Sequence, residues 1–202
     1  MFIARNVLLF TLLLDDGEDL NDTAIWNIYY HLFLDAKSLE LLQIQSKKLS
    51  ALAASIQSWH SSEYGGLLRF CDHGTLAMIR EIWDSYSTSD LNEYEKADYE
   101  RRFKSGIQKA VDAKVRFLGS QGLVLTGYRS AAPVSVQSIK DLPELYQHYW
   151  GHGVTDGDSD SLSKAKHPNP MKAYHLHLEF CHQSSIAVKS NKGGRSVICR
   201  IT

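Results

Sequence analysis

The densest gathering of metal-ligand side chains lies near the C-terminus. If Tyr174 to Phe180 is a strand, alternation puts Tyr174, Leu176, Leu178 and Phe180 on one face. His175, His177, Glu179 and Cys181 fall on the other, with His182 adjacent. Imidazoles spaced in this way can share one zinc ion. The wet face of an edge strand carries the same pattern, however, and the cluster has neither a CxxC pair nor an evident fourth ligand. No metal ligand is therefore assigned to His175, His177 or Cys181. Asp156, Asp158 and Asp160 match the first three ligand positions of a calcium loop, but Ser161 and His167 stand where that loop needs its turn glycine and bidentate glutamate. A plain acidic loop is the better reading. Cys71, Asp72 and His73 place a thiol near an imidazole. On a strand Cys71 and His73 would share a face and Asp72 would point away. A structural Cys71 and a helix-capping Asp72 are the simpler reading. Neither a GxxxxGKS/T phosphate loop nor a GxSxG nucleophile elbow occurs. Gly151-His152-Gly153 comes nearest to a dinucleotide glycine turn, but Asp156 replaces the third glycine and no strand precedes it. The sequence assigns no catalytic, cofactor-binding or metal-binding residue.

The elements that carry these residues read as mainly helical. Ile3 to Leu14 predicts a helix that is apolar nearly all round, which points to central burial. Asp15 to Asp22 breaks it. Ile25, Trp26, Ile28, Tyr29, Leu32 and Phe33 predict a second helix, and Lys37 to Gln57 a third, with Leu42, Leu49, Leu52, Ala53 and Ile56 on one stripe and Lys47 and Lys48 off it. Residues 58–66 read as a loop and Leu67 to Cys71 as a short strand. Asp72 caps a helix lined by Leu76, Ile79, Trp83 and Tyr86. Asp90 with Glu93 reads as the capping pair of a long helix through Phe103, Ile107, Ala110, Val111, Lys114 and Leu118, whose other faces mix both signs of charge. Gly119 to Pro133 reads as loop, with LVLT inside it as a short strand-like run, and a short helix with an aromatic face follows near Asp141. Gly151 to Pro170, rich in Gly, Asp, Ser and Pro, reads as a long mobile loop. Strand-like runs at Tyr174 to Phe180, Ser185 to Val188 and Ser196 to Ile201 close the chain.

Composition narrows the function classes. The 202 residues are 44% hydrophobic and 22% charged, which is ordinary for a globular protein. The formal net charge of −1 argues against a nucleic-acid binder. Cys71, Cys181 and Cys199 do not make a disulfide framework and fit a reducing, cytoplasmic setting. The run VLLFTLLL from Val7 is followed by DDGED rather than a small-residue cleavage site, and is short of the roughly 20 residues that span a bilayer. The expectation is a core helix, with no membrane partner.

Four segments, IARNVLLFTLLLDD, WNIYYHLFLDAKSLELLQIQSKKL, WHSSEYGGLLRFCDHGTLAMIREIWDSY and LPELYQHYWGHGVTDGDSDSLSKAKHPNPM, resemble the fungal "domain of unknown function 4470" family. That family is itself similar to the N-terminal region of an axonemal dynein assembly factor. The resemblance runs from Ile3 to about Met171. It implies a worn methyltransferase-type Rossmann half, whose glycine turn and acidic strand end lie upstream of the Ala4-Arg5-Asn6 helix in family members. Neither element is encoded here, so the resemblance brings no cofactor residue with it and implies truncation at both ends.

The expected fold is mainly α, about six helices with a few short strands, as a partial α/β unit (incomplete Rossmann-like, methyltransferase-like). Residues 1–171 form one helical domain and residues 172–202 an atypical basic tail. The expected function is a non-catalytic interaction or scaffold domain whose uncovered apolar surface on the first helix meets a protein partner. The alternative is a fragment of a degenerate S-adenosylmethionine-dependent methyltransferase-like protein.

Overall fold

The computed structural model describes residues 2–15, 22–118, 144–145 and 147–173. Its main body is helical: α1 (Phe2–Asp15), α2 (Asp22–Tyr30), α3 (Ala36–Leu52), α4 (Ile56–His60), α5 (His73–Tyr86) and α6 (Glu93–Leu118). Short elements follow a helical stretch at 147–152: α7 (Ser159–Lys164) and α8 (Pro170–Ala173). The strands β1 (Phe33–Leu34) and β2 (His167–Pro168) pair antiparallel, Phe33 opposite Pro168 and Leu34 opposite His167.

The core forms where α1, α3 and α5 meet. On α1 the spacing of Ala4, Val7, Leu8, Thr11 and Leu12 makes one continuous face, and all five are buried. Helix α3 starts where the Asp35 carboxylate accepts the Ser38 backbone N–H at 2.9 Å and the Ser38 hydroxyl at 2.6 Å. Leu42 and Leu49 are its fully buried leucines, and the small side chains of Ser46 and Ser50 let α5 approach closely. Helix α5 buries Leu76, Ile79, Trp83 and Tyr86 as its spacing predicts, capped by Asp72, which accepts the Thr75 N–H at 2.7 Å. Trp59 and Trp83 stack with ring centroids 5.7 Å apart. Each indole is anchored: Trp59 Nε1 donates to the Leu68 carbonyl at 2.8 Å and Trp83 Nε1 to the Ala4 carbonyl at 2.9 Å. A smaller cluster gathers Leu32 and Phe103 with Phe33, Ile107, Tyr149 and Trp150, and holds α6 against the β1 corner.

Several expectations are corrected. Helix α1 is not buried all round, because Ile3, Phe10, Leu13 and Leu14 face solvent. The third helix does not run through Gln57. It ends at Ala53, and Ser55 caps a new turn by accepting the Ser58 N–H at 3.0 Å. The Ser55 hydroxyl offers the backbone a local alternative to the helix ladder, which apolar spacing does not register. Leu32 and Phe33 leave α2 for the β1 corner, and Leu67 to Cys71 forms no strand. The capping pair of α6 is Asn92 with Glu95, each accepting the other's backbone N–H at 2.9 Å, while Asp90 pairs with Lys47. Most consequential, 151–170 is no loose loop: Val154, Pro168, Asn169 and Pro170 are buried. The only sheet among the described residues is the antiparallel pair, so they give the Rossmann-type half no support. The LVLT run and the strand-like runs from Tyr174 onward lie outside the described residues, as does most of the basic tail.

Candidate functional site

The most elaborate polar constellation sits where α2 runs into β1. The sequence there, Trp26-Asn27-Ile28-Tyr29-Tyr30-His31, leaves the last carbonyls of α2 without helical partners. A strap of chain, 153–172, supplies those partners. Asn169, fully buried, donates through Nδ2 to the Ile28 carbonyl at 2.9 Å and to the His31 carbonyl at 2.8 Å. Its Oδ1 accepts the Met171 N–H at 3.0 Å, and its own N–H reaches the Leu32 carbonyl at 2.9 Å. At the other end of the strap the Gly153 carbonyl accepts the Leu32 N–H at 2.6 Å. Gly153 adopts a φ of 76°, and a Cβ there would lie 2.5 Å from the Phe33 ring, so glycine is required twice over.

Between these ends, Thr155 receives a hydrogen bond from Trp26 Nε1 at 2.8 Å and lies 2.9 Å from His31 Nε2. An indole N–H can only donate. With the proton of neutral His31 on Nδ1, the Thr155 hydroxyl donates to Nε2. His31 is 2% exposed. Burial holds its pKa below the ordinary histidine value, against the pull of Asp156 and Asp35. Next to it opens a cleft of about 230 Å³, lined by Asn27, His31, Asp35 and Ser38 on one side and by Asp160 and Lys164 on the other.

A hydroxyl beside a buried imidazole has the outline of a nucleophile and its base. The third partner is missing. Both Asp35 oxygens are engaged by Ser38, with Asn27 Nδ2 adding a bond to Oδ2 at 3.2 Å. Burial works to raise the Asp35 pKa, and these hydrogen bonds outweigh it and keep the carboxyl ionised. Trp26 moreover occupies the Thr155 oxygen. The arrangement ties a strap to a helix and does not prepare an attack.

A second polar cluster joins α1 to α3. Asp15 Oδ2 accepts from Gln45 Nε2 at 3.0 Å, from Lys48 Nζ at 2.8 Å and from the Tyr64 hydroxyl. Burial acts to raise the Asp15 pKa, but these donors together hold it low, so this stabilisation is present above the usual carboxylate range and is lost as pH falls through the folded value. Gln45 also donates to Thr11 at 2.8 Å, and Lys48 reaches Glu63 at 2.8 Å. Every group has its partner inside the cluster, which reads as a structural brace. On the far side of α1, Arg5 and Lys172 both lie over the Tyr29 ring. Burial, with Arg5 nearby, pushes Lys172 down to about 8.

The residues singled out by sequence fare as follows. Asp158 caps α7 by accepting the Ser161 N–H, Asp160 pairs with Lys164, and the Asp156 carbonyl faces His148 Nε2 at 2.8 Å, so the three acids do not converge. Among the described residues no group of His, Cys, Asp and Glu is arranged to hold a metal. Cys71 is exposed, and Asp72 acts as a helix cap. Gly153 ends the helical stretch at 147–152. His175, His177, Glu179, Cys181 and His182 lie outside the described residues. Sequence reasoning missed His31, Thr155 and Asn169. The one local signal was His167-Pro168-Asn169-Pro170, where two prolines fix the backbone φ on either side of the Asn169 carboxamide.

No protein-family model, curated protein or solved structure matches the chain. What the described residues define is a mainly helical domain with one short antiparallel strand pair, and no helix among them is long and apolar enough to cross a membrane.

Proposed function

We propose that the chain is a non-catalytic interaction domain that presents the outer face of α1 to a protein partner. The observation that carries this reading is the exposure of Ile3, Phe10, Leu13 and Leu14, at 54%, 42%, 55% and 43%, on a helix whose opposite face is the centre of the core. Ile3, Phe10 and Leu14 stand at i, i+7 and i+11 and so share one stripe. Apolar stripes of this kind mark interaction surfaces. The cytosolic scaffold role expected from the resemblance to the fungal family accords with such a face.

A photoreactive phenylalanine analogue at Phe10 tests it in the native cell. The expected result is a discrete protein adduct from position 10, absent from the same probe at Lys109 on the charged face of α6. Ile3→Asp with Leu14→Asp, in the chain that keeps the probe at position 10, abolishes the adduct while altering stability by no more than about 0.5 kcal/mol each, because both side chains already face water. No adduct at position 10, or an equal one at 109, overturns the reading. The S-adenosylmethionine alternative draws on no site among the described residues. Calorimetric titration of the 202-residue chain is expected to show no saturable heat, and a one-to-one isotherm would restore that alternative.

A further inference from the structure

We propose that residues 155–166 form a pH-gated flap, latched by Thr155 to neutral His31 and released when His31 takes up a proton. The segment is anchored firmly at its two ends and weakly between them. Gly153 is held by the Leu32 N–H, and Asn169 by the carbonyls at the end of α2. Between those anchors α7 is a short helix with no buried residue. The side-chain bonds that fasten the stretch to α2 converge on one atom, Thr155 Oγ1, shared by Trp26 and His31.

The latch is specific to one protonation state. With His31 neutral, Trp26 donates to Thr155 and Thr155 donates to His31, so each proton has an acceptor. Once protonated, Nε2 carries its own hydrogen. The hydroxyl oxygen then accepts from both Nε2 and the indole, and the Thr155 proton loses its acceptor on His31. The new charge also sits in a buried place. The charged groups facing His31 are Asp35 at the start of α3, Asp156 on the flap and Lys172 on α8, with the Asp160–Lys164 pair across the cleft. The two carboxylates ease protonation and Lys172 opposes it, but burial dominates, so His31 titrates below its ordinary range. In the open chain it titrates at the ordinary value. The open state therefore binds more protons, and acid favours opening. His148 is no substitute sensor by this geometry. Its Nε2 faces a carbonyl, the Asp156 oxygen, and must already carry hydrogen, so that bond survives protonation. Opening uncovers the cleft beside Asn27, His31 and Asp35 while the helical body stays folded.

Hydrogen exchange followed as protection factors, which divide out the intrinsic pH dependence, tests the flap at about pH 7.5 and about pH 5. The Leu162 and Ala165 amides report on α7 and those of α5 on the body. The wild type is expected to lose flap protection by up to about tenfold per pH unit as pH falls from the ordinary histidine value to the lowered value of the closed state, with α5 unchanged. His31→Gln keeps a polar side chain that cannot charge, and its flap protection is expected to be the same at both pH values, whatever its level. Thr155→Val is expected to open the flap already at about pH 7.5. The proposal is overturned by an acid response that persists in His31→Gln, by no acid response in the wild type, or by loss of α5 protection in step with the flap.

Discussion

Replacing Trp83 by alanine is expected to cost about 3–5 kcal/mol, the range for emptying an aromatic site in a packed core. Trp83 is fully buried, stacks on Trp59 and closes α5 onto α1 through its bond to the Ala4 carbonyl. Alanine removes all three contributions at once. Neighbouring Leu8, Leu49 and Leu76 belong to the same cluster, and each sits in a helix whose backbone limits how far it can move inward. Trp83→Phe separates the contributions. It retains much of the ring volume but removes the indole donor to the Ala4 carbonyl, which keeps its helical bond within α1, for an expected loss of about 1–3 kcal/mol from the lost bond and volume together. Met78 on the same helix is 61% exposed, and Met78→Ala should stay within about 0.5 kcal/mol. Urea denaturation of the three variants checks the series. A Trp83→Ala loss no larger than that of Met78→Ala would show that the stacked indoles do not hold the core.

The second large effect is expected at Asn169. Asn169→Asp changes volume hardly at all, yet it exchanges an N–H₂ group that feeds two carbonyls for an oxygen that repels them. A carboxylate is also forced into a fully buried place. The expected cost is about 3–5 kcal/mol, as for an unpaired buried charge. Asn169→Ala deletes the donors without adding charge and should cost less, about 1–3 kcal/mol. Met171, one residue beyond Pro170, belongs to the main cluster, so the loss should appear in global unfolding as well as in flap exchange. Thermal melts that rank Asn169→Asp no worse than Asn169→Ala would contradict this account of the clasp.

Local patterns settled a large part of the body before any tertiary contact is considered. The spacing of Leu76, Ile79, Trp83 and Tyr86 marks the buried face of α5, and Asp72 marks its start, because periodicity and capping are properties of a few consecutive residues. The helical character of α1, α2 and α6 follows in the same way. The candidate site was not legible. His31 and Thr155 lie 124 residues apart, and Asn169 lies 141 residues from Ile28. The composition of 151–170 reads as loop, yet the stretch holds α7 and β2. Its order comes from elsewhere. Helix α2 stops with unsatisfied carbonyls, the carboxamide of Asn169 satisfies two of them, and Gly153 alone can pass the Phe33 ring at that distance. Which face of α1 would be buried was likewise a tertiary decision, since its sequence is apolar on nearly every side. Only α3 and α5, by packing on Ala4, Leu8 and Leu12, select one face and leave Ile3, Phe10 and Leu14 to the solvent.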